Sequence, residues 1–139
     1  MGIRLTIILI FFPVLLFSQE PRQVDVAQLV EIEGIYYHKG ESEPYTGDCY
    51  GRYESGEKGV AGSYLDGRKN GDWVWWYKNG EKKRYSQYNA GLKHGKTIFW
   101  YKNGVKKSEI SFENDKNVGQ KSWDEKGKLI ANPIFIEFK

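Results

Sequence analysis

Cysteine and histidine are scarce in this chain. Cys49 is the only cysteine, so no disulfide can form within the chain and packing must hold the fold together. We expect Cys49 to be a small buried residue, with an intermolecular bridge as the alternative. The two histidines, His38 and His94, lie beside glycine in segments that we predict to be connectors, and no residue group has the spacing of a metal site.

Signatures of catalysis are also missing. No glycine-rich phosphate loop precedes a helix, and no serine sits in a strained strand-to-helix elbow. Glu41 and Glu43 are close in sequence, but nothing around them predicts the dry pocket that an acid catalyst needs. We therefore expect no catalytic residue, no metal ion and no cofactor.

Long apolar runs are limited to one. Residues 5–17 are apolar apart from one threonine, which is shorter than the ~20 residues that a membrane-spanning helix needs. Arg4 precedes the run, and a polar Ser-Gln-Glu segment and Pro21 follow it. This pattern predicts a secretory signal peptide at residues 1–19, a periplasmic or extracellular location and no transmembrane segment in the mature chain. A buried core helix and an uncleaved anchor are the alternatives.

Glycine and aromatic residues, in contrast, are abundant and periodic. Residues 64–87 and 88–111 are two copies of one 24-residue unit, and Asn-Gly separates two runs of strand-forming residues in each copy. Asn-Gly favours positive φ at both central positions of a two-residue hairpin turn, so we predict such turns at Asn79-Gly80 and Asn103-Gly104. The Gly-x-x-x-Gly pairs, which begin at Gly67 and Gly91, are predicted to bound the loops between hairpins.

The repeat predicts an all-β fold. A lone hairpin is marginally stable in water, so the units must pair into an elongated single-layer antiparallel meander of tandem β-hairpins. We divide the chain into the signal peptide, a lead-in at residues 20–35 that caps the sheet, and four repeats at residues 36–63, 64–87, 88–111 and 112–131. A tail at residues 132–139 is expected to cover the last edge, with Pro133 stopping further pairing.

Charge is distributed unevenly along the chain. Residues 20–63 carry 4 basic and 9 acidic side chains, whereas residues 64–111 carry 11 basic and 4 acidic ones. One interpretation is a set of solvated strand faces and turns, since lysine discourages pairing at sheet edges. The other is a basic surface that faces an anion or an acidic partner.

Aromatic side chains are the main candidates for function. Strand alternation places Trp73, Trp75 and Tyr77 on one face and Val74 and Trp76 on the other. These rings could simply form the core, but a single sheet cannot bury both of its faces, so some rings must stay exposed or meet a partner. The candidate binding residues are the repeated aromatics and their neighbouring lysines: Trp75, Trp76, Tyr77, Lys82, Lys83, Phe99, Trp100, Tyr101, Lys106 and Lys107.

Residues 64–80 read Tyr-x-x-Gly-x-x-x-Gly-x-Trp-x-x-Trp-Tyr-x-Asn-Gly. This pattern resembles the bacterial variant of the MORN repeat, and the similarity extends over about residues 34–130. The resemblance implies a repeat protein of the YwqK-type, antitoxin-like group. Eukaryotic MORN repeats are associated with membranes, lipid headgroups and protein scaffolding.

Together these observations predict an exported, non-enzymatic repeat protein that acts as a protein-protein or envelope-associated binding and scaffolding module. A protein partner is the favoured ligand. A glycan or an anionic lipid headgroup is the alternative, and nucleic acid is disfavoured because of the predicted export. Two other functions stay open: an antitoxin that binds and neutralises a partner, and a small cell-envelope enzyme.

Overall fold

A computed structural model of the chain describes residues 22–131. The predicted signal peptide, and the predicted tail with Pro133, lie outside the described residues. Nine strands form one sheet in the order β1-β4-β5-β6-β7-β8-β9-β10-β11, and β2 and β3 pair in a second sheet. The elements are β1 (Gln23–Asp25), the 3-10 turn η1 (Val26–Gln28), β2 (Leu29–Ile32), β3 (Ile35–His38), β4 (Gly47–Arg52), β5 (Lys58–Leu65), β6 (Arg68–Trp76), β7 (Lys82–Asn89), β8 (Leu92–Trp100), β9 (Lys106–Glu113), β10 (Lys116–Trp123) and β11 (Leu129–Ala131).

The prediction of an all-β antiparallel meander is confirmed. From β4 to β11 each strand pairs antiparallel with the next one in sequence, and the sheet stays open. Only β1 pairs in parallel, along the free side of β4. Within residues 22–131 there is no α-helix, and no helix has the length and apolar character needed to cross a membrane.

The hairpins use two kinds of turn, and the turn type predicted at Asn79-Gly80 and at Asn103-Gly104 is wrong in both places. Asn79 keeps a negative φ, and only Gly80 is left-handed, at +86°. The Gly80 N–H donates to the Tyr77 carbonyl at 3.0 Å, and the Tyr77 N–H donates to the Glu81 carbonyl at 2.8 Å. This is a three-residue turn with a glycine bulge, and the Asn79 Oδ1 supports it by accepting from the Glu81 N–H at 3.2 Å.

The two-residue turns with positive φ at both positions lie at the opposite ends of the strands. In the nine-stranded sheet they are formed by Asp66-Gly67 (+49° and +71°), Ala90-Gly91 (+47° and +90°) and Asn114-Asp115 (+48° and +66°), and Glu33-Gly34 (+51° and +79°) forms a further one between β2 and β3. The Gly-x-x-x-Gly segments are therefore not loops. Gly67 lies in a turn, whereas Gly71 lies within β6, near a register shift between β5 and β6. His94 likewise lies within β8 and not in a connector.

The segment before β4 folds over one face of the sheet. The Tyr36 N–H donates to the Gly67 carbonyl at 2.9 Å, the Gly67 N–H to the Tyr45 carbonyl at 2.8 Å, and the Tyr45 N–H to the Tyr36 carbonyl at 2.8 Å. These three bonds tie the β2–β3 hairpin to the Asp66-Gly67 turn. Strand β3 opens the predicted first repeat, yet it pairs with β2 outside the nine-stranded sheet.

The hydrophobic core lies beneath this hairpin, on what we call the covered face. The buried apolar side chains of the described residues are Val24, Tyr45, Cys49, Tyr64 and Trp73. The Trp73 indole lies over Gly62, where an added Cβ would collide with the ring, and the Tyr64 ring packs edge-on against it at 5.0 Å. Burial raises the pKa of the Cys49 thiol to about 12, so this cysteine is an inert packing residue, as the sequence predicts.

Candidate binding surface

The opposite side of the sheet, which we call the open face, carries no second layer within residues 22–131. Val74, Trp76, Ile98 and Trp100 lie on it by strand alternation, and all four are half-buried by their neighbours on the same sheet. Cross-strand pairing extends the apolar stripe from Val74 through Tyr85 to Ile98. Together these side chains form a half-buried apolar stripe on the open face.

Tryptophan and lysine alternate along the open face, close to the three-residue turns. We call this set the Lys–Trp row, and its members are Lys58, Trp76, Lys82, Trp100, Lys106 and Trp123. Trp76 pairs with Lys82, and Trp100 pairs with Lys106, across neighbouring strands. The Lys58 Nζ lies 5.3 Å from the Trp76 ring centroid, and the Lys106 Nζ lies 5.2 Å from the Trp123 ring centroid. These are cation–π distances, so the Trp76 and Trp123 rings each attract a neighbouring ammonium group.

A tyrosine hydrogen bond repeats along the turn edge, one residue beyond the row. The Tyr77 hydroxyl donates to the Trp100 carbonyl at 2.8 Å, and the Tyr101 hydroxyl donates to the Trp123 carbonyl at 3.0 Å. The Tyr53 hydroxyl does the same to the Trp76 carbonyl at 2.7 Å. Each tyrosine therefore fastens its own hairpin to the next one, and we call the contact the tyrosine clasp.

Asparagine adds a second link between successive turns. The Asn79 Nδ2 donates to the Lys102 carbonyl at 3.0 Å, and the Asn103 Nδ2 donates to the Glu125 carbonyl at 3.1 Å. Together the two contacts hold neighbouring turns in a fixed relation. The turn edge thus has the same geometry in successive repeats.

Two grooves lie between these turns. The first has a volume of about 440 Å³ and is lined by Tyr53, Tyr77, Lys78, Asn79, Lys83 and Lys102. The second has a volume of about 290 Å³ and is lined by Tyr77, Tyr101, Lys102, Asn103, Lys107 and Glu125. The Lys83 Nζ lies 5.8 Å from the Tyr77 ring centroid, and the Lys107 Nζ lies 5.4 Å from that of Tyr101.

Charge distinguishes the two grooves. The first is lined by three lysines and no acidic residue, whereas Glu125 stands in the second beside two lysines. In each groove a lysine lies beside a tyrosine ring: Lys83 beside Tyr77 in the first, and Lys107 beside Tyr101 in the second. The two grooves are therefore closely related, but they differ in volume and in the charge of their lining residues.

Trp75 and Phe99 lie on the covered face, away from the other predicted binding residues. Trp75 stacks on Trp73 with the ring centroids 5.7 Å apart. Two cations also lie close to the Trp75 ring centroid: the Arg84 Cζ at 3.4 Å and the Lys69 Nζ at 5.8 Å. Burial lowers the pKa of Arg84, and its buried Nε has no hydrogen-bond partner within the described residues. Phe99, on β8, is the cross-strand partner of Arg84, on β7.

Lys69 lies in the same aromatic cluster on the covered face. Its Nζ is 4.8 Å from the Trp73 ring centroid and 5.4 Å from that of Tyr88. Burial is the main cause that lowers its pKa, and Arg84 lowers it further. Aromatic rings thus stabilise these two cations where a carboxylate usually would.

The structure consequently separates the ten predicted residues into three sites. Four belong to the Lys–Trp row: Trp76, Lys82, Trp100 and Lys106. Four line the turn-edge grooves: Tyr77, Lys83, Tyr101 and Lys107. Trp75 and Phe99 belong to the covered face.

Sequence reasoning missed several members of these sites. Lys78, Asn79, Lys102 and Asn103 line the grooves, and their recurrence at 24 residues was the available signal. Lys58 was not recognised as a member of the row because the sequence of the first repeat diverges from that of the others.

The histidines stand apart from these surfaces. The His38 Nδ1 lies 3.1 Å from the Glu41 Oε1, and His94 is exposed within β8. Within residues 22–131, no three side chains of His, Cys, Asp or Glu are grouped closely enough to hold a metal ion.

Comparison with protein-family models, with curated proteins and with solved structures found no match to this chain. The resemblance to bacterial MORN repeats, and the antitoxin-like function that it implies, stay predictions.

Proposed function

We propose that this chain is a non-enzymatic binding module and that the open face with its turn edge is the binding surface. The observation that carries the proposal is the repetition of side chains on the open face. Tryptophan and lysine occupy equivalent places in successive hairpins, and the tyrosine clasp fixes them there. Aromatic and basic side chains held in this way supply contact area and charge at little entropic cost.

The flatness of the surface favours binding over catalysis. The open face is a pleated sheet surface with shallow grooves between turns, whereas active sites normally occupy deep concavities. Half-buried indole rings add apolar contact area, and the lysines add long-range attraction for an anionic or acidic partner. With the predicted export, these features support a scaffolding or ligand-holding role in the cell envelope or outside the cell.

The proposal is tested by capturing envelope components on the purified, immobilised protein. Trp76→Ala combined with Trp100→Ala is expected to abolish capture while the protein stays folded, because both rings are half-buried on the open face and neither belongs to the buried core. Val30→Ala combined with Ile32→Ala is the matched control, since these exposed apolar side chains lie on β2, away from the row. Capture that survives the tryptophan substitutions would contradict the proposal.

A further inference from the structure

The Lys–Trp row places one tryptophan on every second strand of the sheet. Trp76, Trp100 and Trp123 are the last residues of β6, β8 and β10, which are alternate strands. Neighbouring strands are about 4.8 Å apart, so the tryptophans recur about every 9.6 Å, in a direction perpendicular to the strands. A bound polymer that meets each tryptophan in the same way must have a repeating unit of similar length.

An extended linear glycan has such a unit. A disaccharide of an extended β-1,4-linked chain is close in length to one step of the row, and it presents the same ring face at every step. An extended peptide covers the step with about three residues, so its side chains point to opposite sides at successive tryptophans. The spacing therefore favours a sugar polymer over a peptide strand.

The side chains of the row suit an acidic sugar. An indole face carries negative potential and attracts the polarised C–H groups of a pyranose ring. Within residues 22–131, Lys58 and Lys82 form no ion pair, whereas Lys106 shares Glu109 with Lys96, at 2.8 and 3.1 Å. Each step thus has one indole ring and one lysine, and in the first two steps the ammonium group has no carboxylate partner among the described residues. This matches a polymer with one ring face and one or more carboxylates per disaccharide.

We propose that the Lys–Trp row and the adjoining turn-edge grooves bind a linear acidic polysaccharide that lies across the strands, with one disaccharide per repeat. The inference rests on the proposed function, because it names the ligand of the same surface. The first groove, with three lysines, holds the polymer more tightly than the second, where Glu125 opposes a carboxylate.

The first experiment measures binding of β-1,4-linked oligomannuronates of two, four and six sugars to the purified protein by calorimetry. Affinity is expected to rise at least about tenfold from the dimer to the hexamer, because each added disaccharide engages another repeat. It is also expected to fall as NaCl increases from about 50 to about 200 mM, as screening requires. Neutral cello-oligosaccharides of the same lengths are expected to bind much more weakly.

Two substitutions test whether a tryptophan of the row contacts the polymer and whether the charge of the second groove affects binding. Trp100→Ala, at the middle of the row, is expected to weaken hexamer binding about tenfold, as loss of one stacking ring does in other polymer-binding grooves. Glu125→Lys gives the second groove a third lysine, like the first, and is expected to strengthen binding about twofold to fivefold at low salt. Lys39→Ala removes an exposed lysine after β3, away from the row, and is expected to change nothing.

Equal affinities for dimer and hexamer would overturn the one-disaccharide register. Failure of every oligomannuronate to bind would overturn the choice of ligand, and tighter binding of an oligothymidylate or a polyglutamate would replace it. Capture of envelope components that still depends on Trp76 and Trp100 would, in that case, leave the proposed function standing. If no oligomannuronate binds and capture does not depend on Trp76 and Trp100, both proposals are wrong.

Discussion

At the scale of single residues, the tyrosine clasp determines how successive repeats are joined. Backbone hydrogen bonds link each strand to its neighbours. Tyr77 and Tyr101 add a longer link, because each hydroxyl donates to a carbonyl of the next repeat. Both tyrosines are half-buried, so their hydrogen bonds are partly shielded from water. The clasp therefore stabilises the fold and positions the grooves at the same time.

Tyr77→Phe keeps the ring and removes only the hydroxyl. We expect it to lower the free energy of unfolding by about 1 kcal/mol, because the Trp100 carbonyl loses its partner in a partly buried position. Urea denaturation measures the change. Tyr50→Phe is the matched control, since the Tyr50 hydroxyl makes no hydrogen bond with another described residue, and equal stability of the two variants would contradict the clasp.

Glu109 on the open face predicts a dependence of stability on acid. Hydrogen bonds from Lys106 and then Lys96 lower the pKa of its carboxyl group below the ordinary range. Its stabilising effect is therefore fully present above the unfolded-state pKa, and it is lost as the pH falls through the lower folded-state pKa. Protonation of Glu109 also leaves Lys106, a member of the Lys–Trp row, without its ion-pair partner.

We expect Glu109→Gln to be less stable than the parent protein at pH 7 and nearly equal to it at about pH 3. Urea denaturation at a series of pH values measures this convergence. Glu54→Gln, in the exposed turn after β4, is the control and should be as stable as the parent protein at pH 7, because Glu54 forms no ion pair with a described residue. A constant difference for Glu109→Gln across the pH series would refute the argument.

At the scale of elements, the β2–β3 hairpin converts a flat sheet into one with a covered and an open face. It docks on the Asp66-Gly67 turn, where Gly67 combines a φ of +71° with close contacts. A Cβ at Gly67 would approach the Tyr36 carbonyl oxygen at 2.8 Å and would collide with Ile35. At the equivalent Gly91, the nearest atom would be the Arg68 Cβ, at 3.6 Å.

Comparison of Gly67→Ala with Gly91→Ala measures how much the docking of the β2–β3 hairpin contributes to stability. Both substitutions introduce the left-handed strain of about 1–2 kcal/mol, but only Gly67→Ala also displaces the hairpin. We therefore expect Gly67→Ala to cost at least about 1 kcal/mol more than Gly91→Ala in urea denaturation. Equal costs would mean that the hairpin contributes little to stability.

At the scale of the whole molecule, packing is concentrated toward the N-terminal end of the sheet. The buried apolar side chains of the described residues all lie between Val24 and Trp73. Beyond Trp73 the covered face continues with Ser86 and Thr97, which are buried and bonded to each other at 3.1 Å. Small polar groups bury little apolar area, so the later strands depend mainly on backbone pairing and on the clasp.

This asymmetry predicts a gradient of local stability. Amide hydrogens in β5 and β6 should exchange at least about tenfold more slowly than those in β10, because repeats open independently where they share few apolar contacts. Native-state hydrogen exchange measures the gradient residue by residue. Uniform protection from β5 to β10 would instead show that the sheet opens as one unit.

Local sequence patterns specify the strand meander and its period. Recurring glycine, asparagine and aromatic residues at 24-residue steps specify hairpins, and strand alternation correctly separated Trp75 from Trp76. These are local properties, because backbone preference and side-chain direction depend on near neighbours. The turn type at Asn79-Gly80 was mistaken, since the Asn79 side chain bonds across to the next repeat and selects a different local conformation.

Only the tertiary structure decided which face is covered and which is open. That choice depends on contacts between Tyr36, Tyr45 and Gly67, which lie far apart in the chain, and no periodicity encodes them. The ten candidate residues consequently looked alike in sequence, yet they divide among a row, two grooves and a core-side cluster. Burial results from the whole arrangement of the chain, so the side chains that stay available to a ligand emerge only when the sheet has folded.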